Sequence, residues 1–239
     1  MDAVEALQAM LLANPYPGRG LVWSRLGDGA WCAAYFLTGR SEASQRRQIR
    51  LAPEGDLVVV PSESAGHDVL RHYVAATETA DHAATEAQRW LVYGNGEQVV
   101  TIRERLRRGQ SPVEALQDQT YEPDPPIFTA RITVVADLRP PHPAWLAMAR
   151  HARGARDAGL VVTVAAPELA PGDALLMTTY LSDGIQIETA GPLQETETAA
   201  AHPEALVDGI WSSLDPRYRV AVAAFHPGAL GAARIRDRL

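Results

Sequence analysis

Apolar residues recur along the chain in two periods, and the change from one to the other marks the elements. Val4, Leu7 and Leu11 fall at helical spacing after Asp2, which predicts a first helix capped by Asp2 and stopped by Pro15 and Pro17. From Leu21 to Leu26 and from Trp31 to Thr38 the chain is apolar at nearly every position, which suits strands covered on both faces; Gly27-Asp28-Gly29 between them predicts a hairpin. Leu57 to Val60 reads as a short strand ended by Pro61, and Trp90 to Tyr93 as another ended by Gly94-Asn95-Gly96. Helical spacing returns with Val99, Ile102 and Leu106, and Gly109 closes that helix. Ser111-Pro112-Val113-Glu114 is a capping box with proline at the first position and predicts a helix to about Thr120.

Further strands are predicted over Ile132 to Ala136, Leu160 to Ala165, Ala174 to Leu181 and Tyr218 to Phe225, with a helix over Pro203 to Leu214. Ala144 to Arg153 fits helix and strand equally, and the arginine-rich tail from Gly228 reads as solvated or helical. Two packed sheets with helices outside them satisfy this order, an α+β arrangement in one domain over residues 1–239.

Composition narrows the chemistry. All 22 residues counted as Lys+Arg are Arg, so lysine nucleophiles, Schiff bases and P-loops are excluded, and anions must be held by guanidinium or backbone N–H groups. A net charge of −7 argues against a nucleic-acid surface and leaves small anionic ligands open. The single Cys32 excludes an internal disulfide and a multi-cysteine zinc site, and no metal ligand set or cofactor motif is found. With no apolar run of membrane-span length and no leader pattern, the expectation is a cytoplasmic protein that does not enter a membrane. A homo-oligomer is compatible with all of this.

Candidate chemistry concentrates in Tyr121-Glu122-Pro123-Asp124-Pro125-Pro126-Ile127-Phe128-Thr129-Ala130-Arg131. Three prolines stiffen the segment into a loop that presents carboxylates, a phenol, a hydroxyl and a guanidinium, a set able to move protons and bind an anion. Its alternative is a rigid connector with solvated charges. Asn14-Pro15-Tyr16-Pro17-Gly18-Arg19-Gly20 is a turn that holds Arg19 between glycines; a solvated arginine is the alternative there. Arg40 and Ser41 stand at a strand exit and suit phosphate, Tyr73 follows Arg71 and His72, and Asn95-Gly96 precedes a helix N-terminus.

Taken in order, Asn14 to Gly20, Gly39-Arg40-Ser41, Asn95-Gly96, Tyr121-Glu122-Pro123-Asp124 through Thr129-Ala130-Arg131-Ile132, and Thr179-Tyr180 resemble the IMP cyclohydrolases of archaeal type, densely from Asn14 to Ile132. The resemblance implies a four-layer αββα sandwich like that of the N-terminal nucleophile hydrolases, without self-processing. It implies ring closure of 5-formamidoimidazole-4-carboxamide ribonucleotide to IMP in purine biosynthesis, with no cofactor and a purine-precursor nucleotide as the small-molecule partner. Arg40, Tyr73 and Glu122 match catalytic residues: Glu122 for proton transfer, Tyr73 for the formyl oxygen and Arg40 for charge. Asn14, Arg19, Ser41, Asn95, Gly96, Asp124, Thr129 and Arg131 are the substrate-binding set that follows. Val74, Val99 and Ala130 depart from the family's usual asparagine, threonine and proline, and the stretch after Tyr180 diverges. A cyclohydrolase for a related formamido heterocyclic nucleotide, and a purine-nucleotide-binding module without catalysis, are the alternatives.

Overall fold

The computed structural model describes residues 4–61, 72–79, 89–152, 158–183, 185–189 and 193–238. A short helix, α1 (Leu7–Leu12), precedes the hairpin of β1 (Arg19–Arg25) and β2 (Trp31–Thr38). One helical turn, α2 (Glu42–Gln45), leads to β3 (Arg47–Leu51) and β4 (Leu57–Pro61), followed by β5 (Tyr73–Glu78) and β6 (Trp90–Gly94). Next come α3 (Gln98–Arg107), α4 (Pro112–Gln117), β7 (Arg131–Asp137), β8 (Ala144–His151) and β9 (Gly159–Ala166). The chain ends with β10 (Asp173–Thr178), the pair β11 (Leu181–Ser182) and β12 (Ile187–Glu188), β13 (Gln194–Glu197), α5 (Pro203–Ser213), β14 (Arg219–Phe225) and β15 (Arg234–Asp237). The protein is a mixed α/β structure with few helices.

Two large antiparallel sheets result. One has six strands in the order β13-β10-β1-β2-β14-β15, and the other has seven, β3 to β9 in sequence order. Alternation explains the two-faced apolar strands. Leu21, Trp23, Tyr35 and Leu37 of the first sheet meet Tyr73, Tyr93, Ile132 and Leu146 of the second in one shared core. Val22 and Phe36, on the opposite face, pack under Leu7 and Leu11 of α1 and Val207, Ile210 and Trp211 of α5. On the far side of the second sheet, Val92 and Val135 are covered by Val99, Ile102 and Leu106 of α3 and Leu116 of α4. The buried Tyr93 hydroxyl donates to the Val22 carbonyl at 2.8 Å, a polar tie from one sheet to the other.

Several sequence expectations change. Asp2 lies outside the described residues, α1 begins after Ala6, and Val4 is exposed, because only Leu7 and Leu11 meet α5. The predicted helix to Thr120 stops at Gln117. β3 has a half-polar pattern that hid it, and the tail read as solvated or helical contains β15, paired with β14. The ambiguous Ala144 stretch is a strand, since it pairs on both sides with β7 and β9. Among the described residues no helix is long and apolar enough to cross a membrane.

Close packing sets a limit at the β1–β2 crossing. Gly20 lies opposite Phe36, and a Cβ added there would come 2.0 Å from the fully buried Phe36 ring. Gly20→Ala is expected to cost roughly 1–3 kcal/mol through overpacking, while Gly27→Ala, with nothing within 4 Å, serves as the control. Denaturant unfolding of the two variants reads the difference; equal stability would refute the packing account.

Candidate active site

The loop between α4 and β7 is folded onto itself before it presents anything. Glu122 N–H donates to the Thr129 carbonyl at 2.8 Å, and Asp124 accepts from Thr129 N–H at 2.7 Å and from its hydroxyl at 2.6 Å. Since that hydroxyl proton is committed to Asp124, the Tyr180 hydroxyl, 2.6 Å from Thr129 Oγ1, is the donor between the two. Asp124 and Thr129 thus brace the loop against the end of β10.

A second brace brings β1 to the same place. Gly18 has φ +73, and a Cβ there would lie 2.2 Å from Thr179 Oγ1 and 2.4 Å from the Tyr180 ring, so only glycine lets the two segments touch. Arg19 N–H donates to Thr179 Oγ1 at 3.0 Å. The Asn14 side chain donates to the Tyr180 carbonyl at 2.9 Å and accepts from Ser182 N–H at 3.1 Å, which makes it a staple between the turn and the strand end.

These braces place Arg19 against Glu122. Glu122 is buried and the Arg19 side chain is 12% exposed, and Arg19 Nη2 pairs with Glu122 Oε1. Asn95 Nδ2 reaches the same oxygen at 3.1 Å and the Ala130 carbonyl at 2.9 Å, while Asn95 Oδ1 accepts from Ile132 N–H at 2.8 Å and from Gln98 Nε2 at 3.2 Å. Every polar atom of Asn95 is engaged, so it positions Glu122. Both donors converge on Oε1, and among the described residues no donor reaches Oε2. Burial alone would lower the Arg19 pKa, but the charge of Glu122 and the nearby phenols of Tyr180, Tyr73 and Tyr35 outweigh it and raise it well above the ordinary value. Arg19 therefore stays cationic.

Tyr73, at the start of β5, shares a 2.6 Å hydrogen bond with the hydroxyl of Tyr35 from β2. Burial, followed by the neighbouring Tyr73, pushes the Tyr35 pKa well above the usual phenol range, so Tyr35 keeps its proton. A cavity of about 590 Å³ opens on the side of Tyr73 and is walled also by Gln98, Glu97, Thr120 and Arg131. Arg131 bonds Glu97 at 2.7 Å and Thr120 Oγ1 at 3.4 Å. Gln98 and Tyr73 thus line the cavity and also join the buried polar cluster.

Not all expected residues meet. Arg40 is exposed, its guanidinium 4.9 Å from the centroid of Tyr16, whose ring stacks on Tyr180 at 5.7 Å; it reaches the cluster only through these rings. Ser41 is the N-cap of α2, accepting from Ser44 N–H at 3.2 Å. Gly96 adjoins the carboxylate, since a Cβ there would lie 3.8 Å from Glu122 Oε1. Arg71 lies outside the described residues. Arg19 is the correction to the solvated-arginine alternative. Tyr35 and Gln98 were not singled out by the sequence; a hydroxyl on the inward face of an apolar strand and a buried glutamine three residues after Asn95 were the available signals.

A family model for IMP cyclohydrolase-like protein matches residues 16–227. The chain belongs to the IMP cyclohydrolase-like family. The matched span of that family holds Arg19, Tyr35, Tyr73, Asn95, Gln98, Glu122 and Tyr180, and leaves out only the Asn14 staple. An IMP cyclohydrolase of Methanopyrus kandleri is 33% identical over 125 residues, covering 51% of this chain and 59% of that protein.

Two measurements test the electrostatics of this family member's cluster. Arg19→Met leaves Glu122 buried without its cation and is expected to destabilise by about 3–5 kcal/mol, with most of the loss recovered in Arg19→Met/Glu122→Leu. A cost for the single variant below ~1 kcal/mol would show the pair to be solvated. Because the folded pKa of Tyr35 is raised, its contribution is complete below the unfolded phenol value of about 10 and is lost as pH rises past it. Tyr35→Phe should flatten the alkaline fall in stability; an unchanged alkaline limb would count against a buried phenol.

Proposed function

We propose that this protein is an IMP cyclohydrolase that closes the ring of 5-formamidoimidazole-4-carboxamide ribonucleotide with loss of water, as a step of purine biosynthesis. The observation that carries this reading is the Glu122 carboxylate held at one oxygen by Arg19 and Asn95, in a polar cluster whose Gln98 and Tyr73 line a cavity of about 590 Å³ and whose Tyr73 is bonded to Tyr35. Family membership and the similarity to the Methanopyrus kandleri protein support it. We also take the two sheets with helices on their outer faces as the four-layer αββα sandwich of the N-terminal nucleophile hydrolases, in one domain.

The reaction is intramolecular, so it needs one rotamer and two proton movements. The carboxamide nitrogen bonds to the formyl carbon and loses one proton, while the formyl oxygen gains one and becomes a hydroxyl. That hydroxyl then leaves as water, taking a proton, as the former formamido nitrogen gives up its own and the ring double bond forms. Glu122 Oε2 is the oxygen open to accept and return these protons. Tyr73, backed by the protonated Tyr35, donates to the formyl oxygen as charge develops on it. Arg19 holds Glu122, and Arg40, exposed over Tyr16, meets the nucleotide phosphate; Thr120 and Arg131 supply polar groups along the cavity wall.

One observation favours a second reading, action on a related formamido heterocyclic nucleotide. Val74, which departs from the family's usual asparagine, lines the cavity, so the change falls on a wall that touches the ligand. Purified protein is therefore assayed spectrophotometrically with the imidazole carboxamide nucleotide and with related formamido nucleotides, products being identified by mass. Saturable formation of IMP is expected, with kcat reduced about 10²–10⁴-fold in Glu122→Gln and about 10²–10³-fold in Tyr73→Phe. Near-full turnover by a folded Glu122→Gln protein would remove Glu122 from the chemistry. Binding of IMP with no turnover of any of these nucleotides would leave a binding module.

A further inference from the structure

Two sheets have four edges, and three of them are guarded. Charged side chains on an edge strand deter the addition of a foreign strand. β13 carries Glu195 and Glu197, β15 carries Arg234, Arg236 and Asp237, and β3 carries Arg50. The fourth edge is β9, Gly159-Leu160-Val161-Val162-Thr163-Val164-Ala165-Ala166, with no charge, no proline and an unbroken register against β8. It is eight residues of strand-favouring sequence, and among the described residues no strand pairs with one side of its backbone ladder.

Its side chains are equally bare. Leu160, Val162 and Val164 are 44%, 56% and 39% exposed. They stand opposite Arg150, Met148 and Leu146 in register, so they continue the inter-sheet core outward beyond the rim of the first sheet. A groove of about 290 Å³ lies there, walled by Leu146, Met148, Val162, Val164, Met177 and Leu193.

We propose that β9 is a dimer interface, occupied by β9 of a second copy paired antiparallel across a two-fold axis. Self-pairing is isologous, joins the two seven-stranded sheets into one and lays Leu and Val of each copy along the apolar rim of the other. The charges at the ends of the strand fit this direction. Arg150 stands beside its first residues, and Glu168, with a side chain 73% exposed and 3.8 Å from Arg25, follows its last. Antiparallel pairing brings the Arg150 end of each copy to the Glu168 end of the other, whereas parallel pairing would set like charge against like.

Sedimentation velocity of the full chain at micromolar concentration is expected to give twice the 25.8 kDa chain mass. Val162→Lys, and separately Val162→Glu, should sediment as monomers with unchanged circular dichroism, the dimer dissociation constant rising at least ~100-fold from like charges at the strand midpoint. An equimolar mixture of the two should regain the double mass. Ile235→Lys, on the guarded β15 edge, should remain dimeric. Should Val162→Lys fail to fold, Leu160→Lys takes its place on the same exposed face. A monomeric wild type, or a folded lysine variant that associates as the wild type does, would overturn the proposal.

Discussion

The ion pair between Arg19 and Glu122 is the contact on which the surrounding architecture turns. Two charges taken out of water cost several kcal/mol each unless they are paired and their remaining bonds satisfied. Asn95 supplies the extra donor, and its own orientation is fixed by Ile132 N–H on one side and the Ala130 carbonyl on the other. Gln98 is fixed in turn, because Ile132 O and Asn95 Oδ1 can only accept, and so its Nε2 must face them. A single carboxylate orientation is thereby written into the backbone of β7. A buried pair of this kind adds little net stability over apolar residues of similar volume, so its structural effect is to fix one carboxylate orientation rather than to strengthen the core.

Antiparallel pairing explains how such distant residues converge. In each sheet the end of one strand lies beside the start of its neighbour. The end of β10, the start of β1 and the end of β2 therefore share one end of the first sheet, bringing Tyr180, Arg19 and Thr38 together. In the second, the start of β5, the end of β6 and the start of β7 do the same for Tyr73, Asn95 and Arg131. Stacking the sheets with these ends aligned makes one polar cluster at the margin of an apolar interior. Tyr35 reaches it from the first sheet to Tyr73 of the second.

Elements with a strong local signal were legible in the sequence, and those defined by distant partners were not. The β1–β2 hairpin, the Ser111 capping box and the α3 stripe have their causes within a few residues, and they stand where the pattern put them. β3 and β15 each carry two arginines among four or five residues and become strands only through pairing with β4 and β14. Ala144 to His151 is too rich in alanine for its period to decide; β7 and β9 decide it. In the site, Glu122, Asp124 and Thr129 could be picked out together because a stiff loop groups them. Arg19 and Tyr35 acquire their meaning from partners in the loop before β7 and in the second sheet, and Gln98 partly from β7, contacts that no spacing along the chain encodes.

The first sheet has its two earliest strands at its centre, flanked by strands made much later. β2, finished by Thr38, is bordered on one side by β14, which starts at Arg219, and β1 is bordered by β10, which starts at Asp173. Loop closure over such separations is slow, and the entropy must be lost before the contact repays it. During synthesis the β1–β2 hairpin therefore leaves the ribosome long before the strands that flank it exist, with Leu21, Trp23, Phe36 and Leu37 uncovered until most of the chain has been made. The inward face of the nascent hairpin waits for the second sheet and its outward face for α5, so the order in which this protein is read out sets when each is covered.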